Sequence, residues 1–532
     1  MGKTSSTQFH SFFGKEALLG GLNVTDNPLM VSTAEMTMAE NISVAQTLAR
    51  KKRPGQQAFH LGSFASTASY PTIGANNPIR GIIQYWRYAS ATSELNDDLF
   101  LHQDTKVWSI ENRVSPAIDR TGGLTLSASG VPSYQVFQGI LYFLNSESAD
   151  GFNKWNGVAT TPGDAEVATP PPDGAGKYLG TYNGQLVMAG NPDFPFRVYL
   201  SNNFDGEDWS NGNATSFDLD YDGDPAGVTA IFPQLEGRLY IATRRNIYEL
   251  TGLDISTFAV RKVTSGIGCV GHRTVVATPN DILFASDRGV HSLKKIIVSD
   301  QTEINFISRP IQKLWTELLA SNLLYQAQAA FEETANLYVL SVPSSGQLTN
   351  DTILVYNVNF NLWTLWTDVD ARSLERLLLN DKQYVLAGRE DGQISFLDST
   401  LNTDFGEGFS ARFKTGKLFP GGDITSEKMF KSLTILCSAT QKSTVDVSWE
   451  IDGQDVTKSG GKALDVGESA ALLGSTLILG QSTLGIGRFI PLRFSIEDIG
   501  FNIQLQISVS GDSDIEFYGY ILEVETGDTV YV

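Results

Sequence analysis

EGRLYIATRRNIYELTG, residues 236–252, reads as a turn, an apolar β-rich run, a second turn and another run. The same shape recurs along the chain. It appears as DDLFLHQDTKVWSIEN around Leu101, QGILYFLN around Leu141 and NGQLVMAGN around Leu186. It continues as NDILFASDRGVHSLKK around Leu283, ANLYVLSV around Leu337 and KQYVLAGREDGQISFLDS around Val385. With Leu239 of the quoted stretch in its place, the steps between these positions are 40, 45, 53, 44, 54 and 48 residues. A period of ~40–50 residues with several strands per unit is the signature of β-propeller blades. Each blade buries its faces on its neighbours, and the closed ring leaves no long exposed edge. The fold class read from this pattern is all-β: a β-propeller of about seven blades, with six or eight compatible. The rival reading is two β-sandwiches in series.

The rest of the chain is read outward from this repeat. SRPIQKLWTELLASNLLYQAQAAF (308–331) places Ile311, Leu314, Trp315, Leu318 and Leu319 at helical spacing, with Ser308 as N-cap and Pro310 in the first turn. It predicts a helix beside a blade. From Phe409 onward the repeat stops. FNIQLQISVS alternates apolar residues at Phe501, Ile503, Leu505, Ile507 and Val509, as a strand with one buried face does. Residues 67–408 are therefore assigned to the propeller and 409–532 to a C-terminal β-sandwich. Residues 1–66, rich in Asn, Ser and Thr, are read as an extended N-terminal arm. The arm is too poor in clustered apolar residues to build its own core. It carries Phe9, Phe12, Phe13, Leu18 and Leu19 to donate to a neighbouring subunit or an adaptor. The bland alternative is that it closes the propeller within its own chain.

Composition narrows the function. The chain has 532 residues, 41% apolar content, 50 glycines and 10% aromatics, which suits many short strands and tight turns. Its net charge is −20. Six cations against four carboxylates leave residues 1–60 slightly basic, so the remainder stands near −22. Phosphate repels such a surface, which argues against general nucleic-acid binding. Cys269 and Cys437 are far apart, and five histidines never fall at metal-ligand spacing, so neither a disulfide framework nor a zinc or iron site is expected. No apolar run reaches the length of a membrane span, and the N-terminus lacks the apolar core of a signal peptide.

Four motifs need weighing. SNNFDGEDWS (201–210) resembles the Asp box of sialidases, S-x-D-x-G-x-[ST]-W. However, Asn203 replaces its Asp, Gly206 and Trp209 come one residue late, and the pattern occurs once. It is read as a β-turn at Asp205-Gly206 with Trp209 packed between blades. Asp218, Asp220, Asp222 and Gly223 match the start of an EF-hand loop, but Thr229 stands where a bidentate Glu belongs, leaving a weak calcium candidate. Arg50, Lys51, Lys52 and Arg53 precede a Pro-Gly turn; they are read as a solvated turn, a DNA contact or a salt bridge to an acidic neighbour. DRGVHS (287–292) holds Asp, Ser and His, yet neighbours on a strand alternate faces and do not converge as a triad. Trp155, Trp209, Trp363 and Trp366 fit inter-blade packing as well as glycan platforms. No catalytic residue, metal or cofactor is assigned.

Four stretches together resemble the tail nozzle proteins of short-tailed bacteriophages, also called tail tubular protein B. They are GGLNVTDNPLMVSTAEMTMAENISVAQTLARKKRPG (20–55), SFDLDYDGDPAGVTAIFPQLEGRLYIATRRNIYELTG (216–252), GIGCVGHRTVVATPNDILFASDRGVHSLKK (266–295) and GIGRFIPLRFSIEDIGFNIQLQISVSGDSDIEFYGYILEVE (485–525). The resemblance implies a structural virion protein of the tail: a homohexameric ring below the portal and adaptor complex, without catalysis, that retains DNA and lets it out. It implies that DNA passes the lumen without specific binding, that tail fibres are possible further partners, and that this chain does not insert into a membrane. An acidic lumen would let DNA slide, since each phosphate–cation contact acts as a brake. Two other readings are a fibre-like propeller that recognises host glycan and a propeller hydrolase.

Overall fold

The computed structural model describes residues 7–13, 20–45, 48–59, 77–88, 95–111, 117–157, 171–220, 224–279, 281–296, 301–320, 322–379, 382–422, 424–439, 443–453, 458–464, 490–512 and 514–526. They divide into two compact units. Among the described residues, no helix is long and apolar enough to cross a membrane.

The larger unit, Gln57–Ile353 with Asp368–Leu397, is the propeller. Consecutive antiparallel sheets start with the strands Ile79–Tyr88, Ser133–Phe137, Tyr178–Tyr182, Val228–Ile231, Val276–Ala277, Gln328–Glu332 and Ser373–Leu379, giving seven blades. Every repeat position found in the sequence (Leu101, Leu141, Leu186, Leu239, Leu283, Leu337, Val385) lies on the second strand of its blade, and all are buried. Between first and second strands, Gln138-Gly139, Asn183-Gly184 and Glu236-Gly237 all have positive φ at both residues. That geometry matches the right-handed twist of the strands it joins.

The run LYIAT of the opening stretch is apolar on both faces because both faces are used. Leu239 and Ile241 pack with Tyr182, Val187 and Val198 of the preceding blade. Tyr240 and Ala242 point the other way, into a cluster with Ile282, Phe284 and Leu293 of the next. Leucine and isoleucine side chains each contribute roughly 1.5–3 kcal/mol on full burial. The ring closes through the chain's beginning: Phe59 N–H donates to Ile394 O (2.9 Å), and Phe59 sits in one core cluster with Ile79, Leu99, Leu386 and Phe396.

The second unit comprises Met1–Gln56, Leu354–Thr367 and Asp398–Val532. One sheet runs Ile490–Gly500, Lys428–Ala439, Ile515–Thr526, with Thr7–Phe13 and Arg50–Lys52 both against the last of these. The other runs Leu362–Trp366, Glu35–Glu40, Ala411–Thr415, Ile503–Val509, Ser443–Ile451, Lys458–Leu464. The two are packed as a sandwich, with Phe413 edge-on to Phe517 at 5.5 Å. Ile503, Leu505, Ile507 and Val509 are buried, as their alternation requires.

The chain divides differently from the boundaries at 66 and 408. The extended arm is laid into the sandwich as strands, because its short runs find partners hundreds of residues away: Met36 pairs with Thr415 and Phe12 with Tyr520. Residues 57–59 also close the propeller, which is the bland alternative. The helix expected over 308–331 forms only at its start, as a 3-10 turn at Arg309–Ile311 that runs on into a π-helix at Leu314–Leu318 with Ile311 and Trp315 buried, and Gln328–Glu332 is a strand. Leu318, on the expected apolar face, is exposed, and Ser308 Oγ accepts from Val290 N–H (2.8 Å) instead of capping a helix.

Candidate functional site

The first strands of the blades surround an axial cavity of about 470 Å³. A second recess of about 210 Å³ shares His272 and Arg273 with it. Both residues belong to the 3-10 turn His272–Thr274 before the fifth blade. That turn is tied down on several sides. Thr274 Oγ1 donates to Gly271 O (2.7 Å) and accepts from Ala285 N–H (3.2 Å), while Tyr338 Oη donates to Thr274 O (2.8 Å). Cys269, beneath it, is fully buried, and burial pushes its thiol up to about 12, so it packs as a small apolar residue and is no nucleophile.

Arg273 projects from the turn toward the opposite blades. Its Nη2 lies 3.4 Å from Ile82 O, 3.5 Å from Leu374 O and 3.4 Å from the Glu375 carboxylate, and the guanidinium stands over the Tyr134 ring at 5.5 Å. These polar contacts are long, so they centre the side chain more than they bind it. Burial raises the pKa of Glu375, and Arg273 opposes that shift. Burial holds His272 down to about 3, and its Nδ1 faces Ile231 N–H at 3.4 Å. A neutral imidazole beside one guanidinium and one carboxylate gives a polar pin across the axis. It is neither a carboxylate pair nor a base beside a nucleophile. Sequence reading missed this turn, since HRT inside GCVGHRTVV carries no motif of its own.

The residues singled out in the sequence are scattered and structurally occupied. In SNNFDGEDWS, Asn202 bridges to Asp205, and Trp209 Nε1–H donates to Gly206 O (2.9 Å). Trp209 packs edge-on to Phe152 at 5.6 Å and joins a cluster that also holds Tyr142 and Tyr199, so it sits between the second and third blades. A Cβ at Gly206 would strike the Tyr142 ring. Trp155, Trp363 and Trp366 are buried too, which removes all four as sugar platforms.

Asp218 is engaged by Arg197 through both carboxylate oxygens (2.7 and 3.0 Å). Asp220 is exposed and offers its carbonyl to Tyr248 Oη–H (2.9 Å), while Asp222 lies outside the described residues. No group of three or more His, Cys, Asp or Glu able to hold a metal occurs among the described residues. The DRGVHS residues diverge: His291 Nε2 meets Ser286 Oγ (2.9 Å), Asp287 pairs with Arg244, and Ser292 Oγ donates to Asp281 (2.7 Å).

The cationic cluster is placed differently from a solvated turn or a DNA contact. Arg50, Lys52 and Arg53 are buried and only Lys51 is half-buried. Arg53 grips both oxygens of Asp404 and donates to Asn41 Oδ1 (2.9 Å), Pro54 O (2.9 Å) and Thr367 O (3.2 Å). Lys52 Nζ donates to Asn402 O (3.1 Å) and Gly511 O (2.6 Å), and both cations lie 4.0 Å from the Phe409 ring centre. Burial lowers Lys52 to about 8 and Arg50 to about 10. The cations go inside because three separated segments meet here and leave carbonyls that need donors. Of the aromatic candidates, Phe12 stacks on Tyr520 at 4.9 Å, while Phe9 is 68% exposed and Phe13 is also exposed.

No family model and no curated protein matches the sequence. Similar solved structures include the WD40 β-propeller domain of Doa1, at 10% identity and TM-score 0.39 over 65% of this chain and 97% of that one. Streptogramin B lyase matches at 10% identity and TM-score 0.38, over 65% of this chain and 98% of the other. The extracellular domain of the hybrid two component system BT3049 from B. thetaiotaomicron matches at 10% identity and TM-score 0.43, over 82% of this chain and 58% of that one. These are likenesses of fold alone.

Proposed function

We propose that this chain is a structural subunit of a short bacteriophage tail. It assembles as a homohexameric nozzle below the portal and adaptor, retains packaged DNA and forms its exit channel, with no chemical step. The observation that carries the reading is the use made of the nozzle-like opening that ends in RKKRPG. Its cations bond to Asp404, Thr367, Asn402 and Gly511, so the stretch fastens the second unit together. That is the role of a scaffold element. The axial pin of Arg273 and the burial of all four candidate tryptophans favour a scaffold over a sugar-binding or hydrolytic propeller. A strongly acidic chain also suits a conduit that DNA must slide through without sticking.

The test is electron microscopy of intact particles labelled with an antibody against residues 409–532. Label at a single tail vertex is the expected result. Label on lateral spikes or at every vertex overturns it in favour of host recognition, and absence from particles rejects a virion role. A lumen that is basic rather than acidic would sink the sliding argument.

A further inference from the structure

We propose that the strand Thr7–Phe13 is exchangeable, and that a second copy of this chain supplies it to the same edge of Ile515–Thr526. This rests on the assembly reading above and names the element that joins copies.

The strand and its seat are unequal partners. The seven residues TQFHSFF pair in continuous register with the acceptor, from Thr7 opposite Glu525 to Phe13 opposite Gly519. Yet none of the seven is buried, whereas Tyr520, Leu522 and Val524 of the acceptor are. The acceptor is shaped for this sequence. Phe12 stacks on Tyr520, and Gly519 leaves open the space where Phe12 O and the Phe13 ring approach, which any Cβ would fill. The occupant that fits is thus already in view, and an identical strand from another copy makes identical contacts.

The strand's far edge has no partner among the described residues, and its sequence has neither Lys nor Pro to discourage pairing.

Charge points to a second copy as the donor. Two copies of a chain at −20 repel each other over most of their surface. On the outer face beside this strand, Lys431 pairs with Glu525 and Arg493 with Glu523, so its charges cancel. Phe9, Phe13, Met429 and Ile499 add exposed apolar surface there. Reach is sufficient for a handover between touching copies, since the seven steps from Phe13 to Gly20 span at most about 24 Å. Exchanging an identical element costs little beyond association, and head-to-tail exchange closes a ring when the rotation from copy to copy is a whole fraction of a turn.

The test uses the purified full chain and the pair Ser11 and Ile521, which face each other in register. Chains carrying only Ser11→Cys are mixed at high concentration with chains carrying only Ile521→Cys, then oxidised and run on a non-reducing gel. Cys269 and Cys437 are both buried, so they do not compete. A covalent band of doubled mass, found in the mixture and in neither variant alone, is expected. The double variant should give multimeric bands that grow with concentration. Phe9→Cys with Glu523→Cys repeats the test at a second register position should the first pair misfold. Mixtures that stay monomeric, with double variants that cross-link only within one chain, overturn exchange and leave the tail reading standing. Particles without label overturn the tail reading and leave a mixed disulfide standing.

Discussion

The propeller and the sandwich both pair their strands into sheets, by opposite routes. In the propeller, each blade is almost entirely consecutive chain among the described residues, and a long jump joins Phe59 to Ile394 in the last. In the sandwich, neighbouring strands come from 35–40, 411–415, 503–509 and 443–451. The difference shows in what buried charge holds together. In the propeller, buried charge ties loops to blade edges: Arg80 donates to Gly130 O, Ser127 O (2.9 Å) and Asn145 Oδ1 (3.2 Å), and Arg87 donates to the buried Asp98 (3.0 Å), beside neutral imidazoles at His102, His272 and His291. Crossing segments leave carbonyls at their meeting points, so the sandwich takes Arg53 and Lys52 inside as donors.

The largest expected effect tests that last point. Arg53→Met strands Asp404 and should cost about 3–5 kcal/mol, as breaking a buried pair does. Denaturant unfolding followed by probes in each unit should show the sandwich transition displaced and the propeller transition unmoved. A joint shift would break the comparison. Next, Leu141→Ala, Leu186→Ala and Leu239→Ala should each cost about 2–5 kcal/mol, since each occupies the equivalent buried place in its blade. Chemical denaturation of the three variants checks this, and one near-neutral member would break the equivalence of blades.

Acid and alkali should divide the units further. His272 and His291 are held to about 3 and about 4, below their ordinary 6.5. The unfolded chain therefore binds these protons first, and propeller stability, intact above pH 6.5, is lost as pH falls toward 4 and then 3. Lys52 is held to about 8 against 10.5, so the folded chain releases its proton first and the sandwich gains stability as pH rises from 8 to 10.5. Calorimetry at pH 5, 7 and 9 should move the two melting transitions in these directions, and parallel shifts would contradict the assignment. The smallest effect is local: Asp208→Ala removes acceptance from the Ser210 and Asn211 N–H groups (both 3.1 Å) and should appear as a small drop in the propeller melting temperature.

What could be read from the sequence follows the same line. The blades were legible because Leu239 and its six counterparts repeat within local hairpins, where spacing is preserved along the chain. The arm's strands were not, since MTMAEN acquires its meaning from Ala411–Thr415, far along the chain. RKKR looked like surface because long cations are mostly exposed, and nothing local announces that Asp404 waits for Arg53. The helix at 308–331 was legible only at its start because its apolar residues serve two elements: Ile311 and Trp315 pack from a short helical stretch, while Phe331 belongs to a blade strand. The axial pin was invisible for a related reason. An arginine in a short turn has no pattern until opposing blades surround it.

The closure by Phe59 also sets a clock on synthesis. Its partner Ile394 leaves the ribosome 335 residues later. At ~5–20 residues per second, the growing chain waits roughly 20 to 70 s with its ring open. During that interval the face of the first blade that carries Ile79, Ile82 and Leu99 lacks the seventh blade that covers it, so the nascent protein stays open to aggregation until that blade emerges.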